Sequence, residues 1–72
     1  MSNQAMKMLT MEREIRSFVS EGYFVSFSIL GRNNIFCASL IHRSNGNRII
    51  VKIEDDTVII KKNNKQVKTY EI

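Results

Sequence analysis

The sequence has little of several features that small proteins use to stabilise or specialise their folds. It has one cysteine, Cys37, so no disulfide can form within the chain. Cys37 and the single histidine, His42, are too few for a structural zinc site, which takes about four ligands. It has no run of about 18 apolar residues to span a bilayer, and its N-terminus lacks the features of a secretory signal. We therefore expect no cofactor, no metal, no membrane association and a cytoplasmic location.

Side chains suited to catalysis are also scarce. Cys37 and His42 are separated by five residues, an odd offset that places them on opposite faces of a regular strand. The acidic run Glu54-Asp55-Asp56 matches no calcium-binding loop and is typical of a hairpin turn. The three glycines lie too far apart to form a phosphate-binding loop. The sequence therefore predicts a protein that is not an enzyme, with no catalytic residue.

The chain does contain a clear change of hydrophobic period. Apolar residues at helical spacing predict a helix over about residues 5–21, with Ser2 or Thr10 as candidate N-caps and Gly22 as the stop. After Gly22 the apolar residues alternate, as they do in strands. Turn sequences, among them Asn45-Gly46, divide this part into five predicted strands. They cover about residues 23–30, 35–42, 48–54, 57–62 and 66–71.

This order of elements predicts an α+β fold in a single small domain over residues 1–72, with an N-terminal helix followed by a five-stranded antiparallel meander. So short a meander either lies as a curved sheet with the helix on one face or curls into a small, partly open barrel. Residues 35–41 are apolar on both faces, which favours a homo-oligomer that covers the second face. The expected core comprises Val25, Phe27, Ile29, Ile49, Val51 and Ile53, with Ile15 and Phe18 packed on it.

In outline, this order resembles the Sm-like fold, in which a helix precedes a strongly bent five-stranded sheet that assembles into RNA-binding rings. The stretch from Val25 to Leu40 has the rhythm of the first two strands of that family. The glycine of the second strand is replaced around Cys37-Ala38, and the short RNA-binding signatures do not occur near Lys61-Lys62. The resemblance is therefore one of topology.

Charge gives the clearest indication of function. The small protein is basic, with a net charge of +4, and residues 1–30 carry three basic and three acidic residues, so the excess lies in the predicted sheet. If the apolar residues of the last three strands face inward, one outward face carries Arg48, Lys52, Lys61, Lys68 and Tyr70. Lysine and arginine neutralise phosphates, and tyrosine stacks on bases. We interpret the chain as a nucleic-acid-binding module, for RNA or a single strand, because it has no basic recognition helix.

Two other interpretations account for the same residues. The lysines could simply form a solvated sheet face that discourages pairing of strand edges. Alternatively, the chain is a small protein-binding inhibitor or adaptor of the phage or mobile-element type, which binds a protein partner through a strand edge or the apolar side of the helix. A small nuclease is the weakest interpretation, since His42 would be its one conventional base near neutral pH.

Overall fold

The computed structural model describes residues 3–72, which form one helix and a five-stranded antiparallel sheet. This confirms the predicted α+β fold and order of elements. The elements are α1 (Gln4–Ser20), β1 (Tyr23–Leu30), a 3-10 turn (Arg32–Asn34), β2 (Phe36–His42), β3 (Arg48–Glu54), β4 (Thr57–Lys62) and β5 (Lys65–Glu71). Each strand pairs with its neighbours in sequence, in the order β1-β2-β3-β4-β5. Because β1 and β5 remain at opposite edges, the sheet is open and is not closed into a barrel.

The helix begins earlier than its apolar stripe suggests. Asn3 is the N-cap, and its side-chain oxygen accepts a hydrogen bond of 2.9 Å from the backbone N–H of Met6. Thr10, one of the two predicted caps, lies inside the helix, where its hydroxyl donates to the Met6 carbonyl. The other, Ser2, lies outside the described residues. At the far end Gly22 has a φ of +102°, which favours glycine and turns the chain into β1.

The helix packs on one face of the sheet, and the core lies between them. We call this side the helix-covered face and the opposite side the open face. Ile15 and Phe18 of α1 pack against the buried cluster, as predicted. The predicted β3 residues are buried there too. The buried hydrophobic residues are Met11, Tyr23, Phe36, Ala38, Leu40, Ile49, Val51, Ile53, Val58 and Ile60.

The predicted core residues of β1 are not buried. A β-bulge lies between Val25, which pairs with Leu40, and Phe27, which pairs with Ser39. The extra residue, Ser26, reverses the alternation, so Phe27 lies on the open face with 55% of its surface exposed. Ile29 follows it onto the open face, opposite Cys37. Val25 stays on the helix-covered face, but at the sheet edge it is 40% exposed.

Candidate nucleic-acid interface

The open face brings together three of the five residues predicted to bind nucleic acid. Arg48 and Lys52 alternate with the buried residues of β3, and Lys61 projects from the same side of β4. The strand register sets Lys61 opposite Ile50 and Lys52 opposite Ile59. The three cations therefore surround a small apolar centre on two adjacent strands.

Lys68 and Tyr70 lie on the other face, so their predicted place beside Arg48, Lys52 and Lys61 is wrong. The register between β4 and β5 shifts next to Lys61, which pairs with Gln66, whereas Ile60 pairs with Lys68. The extra residue, Val67, reverses the alternation for the rest of β5. Tyr70 consequently pairs with Val58 and packs against the core.

The hydroxyl of Tyr70 is also engaged, since it donates a hydrogen bond to the Glu14 carboxylate on α1. Burial, followed by this hydrogen bond and the negative charge of Glu14, raises the pKa of Tyr70 to about 12. Lys68 lies beside it, with its Nζ 5.1 Å from the centre of the tyrosine ring. Tyr70 therefore fastens the helix to the last strand and is not free to stack on a base.

Two phenylalanines of β1 supply the aromatic surface of the open face instead. Phe24, opposite Ile41, is 38% exposed, and Phe27 is 55% exposed. The guanidinium carbon of Arg43 lies 5.4 Å from the centre of the Phe24 ring, a cation–π geometry. Neither phenylalanine was predicted to belong to the site, although a period of two over residues 23–30 sets Phe24 on the face opposite to the predicted core residues. Phe27 could not be found in this way, because the bulge that turns it outward leaves no distinctive sequence signal.

The charges of the sheet are divided between its two ends. At the end near the β3–β4 turn, Lys52 forms an ion pair of 2.9 Å with Glu54. On the same face, the Glu71 carboxylate accepts a hydrogen bond of 2.8 Å from the Thr57 hydroxyl. The opposite end carries Arg43, Arg48, Lys61, Lys62 and Lys65 on β3, β4, β5 and the turns between strands. A polyanion on the open face therefore meets its strongest attraction at this second end, which we call the basic end.

Asparagine side chains hold the turns of the basic end together. The Asn63 side-chain oxygen accepts from the backbone N–H of Arg48 at 2.9 Å, and the Asn63 N–H donates to the Arg48 carbonyl at 2.9 Å. The Asn63 amide also donates to the Asn47 side chain at 3.2 Å. These bonds fix the backbone of Arg48 while its side chain is left exposed. A fixed backbone lowers the entropic cost of holding a cation against a phosphate.

His42 and Cys37 have separate surroundings. His42 lies on the helix-covered face, where its Nδ1 accepts from the Ser44 N–H at 3.2 Å. In that tautomer Nε2 donates to the Glu21 carbonyl, 3.1 Å away, at the end of α1. Cys37 is half-buried on the open face, opposite Lys52. Both histidine nitrogens therefore join the helix end to the β2–β3 turn, away from the thiol.

No family model, curated protein or solved structure matches the chain. Within residues 3–72, no three or more histidine, cysteine, aspartate or glutamate residues are grouped so as to hold a metal ion. In that same part of the chain, the helix is neither long nor apolar enough to cross a membrane. The geometry of the open face is therefore the basis for the functional argument.

Proposed function

We propose that the chain is a small, non-enzymatic module that binds RNA or another single-stranded nucleic acid through the open face of its sheet. One observation carries the proposal. A single uncovered face presents three cations, Arg48, Lys52 and Lys61, together with the exposed rings of Phe24 and Phe27. Cations that track phosphates and rings that stack on bases are the two components of single-strand recognition.

The choice of single strand over duplex follows from where the helix lies. Lys7, Arg13 and Arg16 on α1 are offset by Glu12, Glu14 and the C-cap residue Glu21, and the apolar side of α1 packs on the sheet. A balanced helix engaged in the core has neither the charge nor the freedom to enter a major groove. Unstacked bases, in contrast, can lie flat against rings on a sheet.

The direct test is fluorescence anisotropy with short labelled RNA and DNA strands over a range of salt concentrations. We compare a variant carrying Arg48→Glu and Lys61→Glu with a control carrying Lys7→Glu and Lys68→Glu. Both variants change the net charge equally, but the control positions lie off the open face and outside the basic end, Lys7 on α1 and Lys68 opposite Ile60 on the helix-covered face. Each phosphate contact adds about −0.7 to the slope of the logarithm of the binding constant against the logarithm of the salt concentration. Because the first variant removes two contacts, its slope is expected to be less steep by about 1.4.

The control variant is expected to keep most of that slope. Equal effects of the two variants would mean that net charge alone drives binding and would contradict a defined interface. Absence of binding to RNA or DNA at about 50 mM salt, where phosphate contacts are strong, would overturn the proposal.

We include self-association and a cytoplasmic location in the same proposal. Self-association is supported by exposed apolar side chains beside the β1 edge, such as Val19 and Val25, which are 46% and 40% exposed. The location is supported by Cys37, which has no cysteine to pair with and is typical of reducing compartments.

The alternative function, a protein-binding inhibitor or adaptor of the phage or mobile-element type, is supported by a different observation. The edge strand β1, which carries no charged residue, is open to an added strand. A pull-down from lysate with and without nuclease treatment separates the two functions. A partner protein that is retained after nuclease treatment would favour the adaptor, and nuclease-sensitive retention would favour nucleic acid.

A further inference from the structure

We propose that β1 is the edge through which two copies of the chain associate. The second copy adds its own β1 antiparallel to the first, about a two-fold axis perpendicular to the sheet. The two sheets then become continuous, and each copy contributes the same surface, as an isologous interface requires. This inference rests on the proposed self-association and specifies its surface.

The two edges of the sheet differ sharply in how they are protected. The outer strand of a monomeric sheet is usually blunted by charges, proline, short length or a bulge. Both edge strands of this sheet have a bulge, so charge is what distinguishes them. β5 follows that rule, with Lys65, Lys68 and Glu71 along its length. β1 has eight residues, Tyr-Phe-Val-Ser-Phe-Ser-Ile-Leu, and none is charged or proline. An uncharged edge of this length is the one suited to pairing with another strand.

A groove between α1 and β1 runs along the same edge. It is a shallow, open groove of about 530 Å³, and its apolar lining comes from both elements, Ile15, Val19, Val25 and Leu30. Val19 and Val25 are 46% and 40% exposed. When a second copy adds its β1 to this edge, its α1 helix covers the groove. The interface then buries apolar surface in addition to forming backbone hydrogen bonds.

The charged residues of the groove identify a second copy as the partner. Glu12 and Arg16 line it one helical turn apart. In the two-fold arrangement the α1 helices run antiparallel beside each other, and an axis that passes midway between residues 12 and 16 sets Glu12 of each copy opposite Arg16 of the other. The surface is therefore complementary to itself in charge as well as in apolar character. We place the two-fold axis beside Ser26, where the bulges of the two strands lie opposite each other and the two kinked edges match in shape.

This arrangement has a direct consequence for the open face. A two-fold axis perpendicular to the sheet leaves both open faces on the same side. The exposed Phe27 side chains of the two copies then lie near the seam, with the basic ends further out on either side. One strand of nucleic acid could contact both copies, which would raise its apparent affinity through effective concentration.

The first test places a charge on the edge and measures mass by light scattering and sedimentation, without nucleic acid. Val25→Lys is expected to shift the protein to monomer, because a buried unpaired ammonium is costly. The matched control is Val67→Lys on β5, a position that is 59% exposed on the opposite edge. It is expected to leave the dimer intact. Circular dichroism verifies that both variants are folded, as the exposure of both positions leads us to expect.

The second test uses the pairing of Glu12 with Arg16 across the axis. Glu12→Arg alone and Arg16→Glu alone each set like charges opposite each other, so each variant is expected to be monomeric. A mixture of the two variants restores opposite charges at both contacts and is expected to form a heterodimer. A purely structural role within one helix would not produce this recovery on mixing.

The outcomes separate the two proposals. A wild-type protein that remains monomeric at high micromolar concentration would overturn both self-association and this interface. An oligomer that persists in Val25→Lys, or single-charge variants that do not recover on mixing, would overturn the β1 interface alone. Nucleic-acid binding by the open face is measured separately, through the Arg48 and Lys61 variant, and can fail or succeed independently of either result.

Discussion

Replacing Phe27 and Phe36 with alanine, one at a time, tests the register of the first strand. Both are phenylalanines in neighbouring strands, but the bulge sends them to opposite faces. Phe36 is 2% exposed on the helix-covered face, and Phe27 is 55% exposed on the open face. The sequence alone predicted Phe27 as a core residue, so the two interpretations give opposite results.

The magnitudes follow from burial. Loss of a fully buried phenylalanine costs about 3–5 kcal/mol, which is the expectation for Phe36→Ala. Full burial of a phenylalanine contributes about 1.5–3 kcal/mol, so the half-exposed Phe27 is expected to lose about 1 kcal/mol. A chain of this length has about 4–11 kcal/mol of total stability. Phe36→Ala therefore removes a large part of it and Phe27→Ala a small part.

Thermal unfolding followed by circular dichroism measures the difference. Each kcal/mol corresponds to about 4–8 °C in a domain of this size, so Phe27→Ala is expected to lower Tm by that amount and Phe36→Ala by more than about 12 °C. If Phe27 also stacks on a base, Phe27→Ala weakens single-strand binding by about 5–150-fold with little dependence on salt. A loss of stability from Phe27→Ala equal to that from Phe36→Ala would refute the bulged register.

Two further predictions concern the ends of the helix and sheet. Gly22→Ala is expected to cost about 1–3 kcal/mol, because φ is positive and the added Cβ would lie 2.9 Å from His42 Nε2. Gly46→Ala, also at positive φ but with nothing within 4 Å of the new Cβ, is the control, and an equal loss in thermal unfolding would contradict the steric argument. Tyr70 has a folded pKa of about 12 against about 10 when unfolded. The contribution of Tyr70 to the free energy of unfolding is therefore fully present below pH 10 and is lost as the pH rises towards 12. After allowance for solvent screening this contribution is about 1–2 kcal/mol. Denaturant titrations are expected to show this loss in the wild type but not in Tyr70→Phe, and identical pH profiles would contradict the hydrogen bond to Glu14.

The order of elements could be predicted from the sequence because the signals that set it are local. The change of period at Gly22 marks the end of the helix, and the Asn45-Gly46 pair marks a turn. In β3 the alternation of Ile49, Val51 and Ile53 runs without interruption, and all three residues are buried as expected. An uninterrupted period of two fixes which face each side chain takes.

The residues whose face in the sheet could not be predicted were displaced by one physical cause, a β-bulge. A bulge adds a single residue and exchanges the two faces for everything beyond it. The bulge at Ser26 exchanged Phe27 onto the open face, and the one at Val67 moved Lys68 and Tyr70 away from it. Neither Ser26 nor Val67 is a glycine, the residue that inside a strand pattern indicates a bulge. The placement of Arg48, Lys52 and Lys61 on one outward face was therefore predicted correctly, because no bulge interrupts the pairing of β3 with β4.

The sequential strand order also bears on how quickly the chain can fold. Because every strand pairs with its neighbour in sequence, most sheet contacts close short loops, and low contact order favours rapid folding. Hairpins of this kind form in about 1–10 μs. The hydrogen bond between Glu14 and Tyr70 spans 56 residues, so its loop-closure entropy is larger than that of any hairpin contact. We therefore expect docking of the last strand onto the helix to follow the hairpins, which leaves the β5 edge as the last to gain protection from exchange.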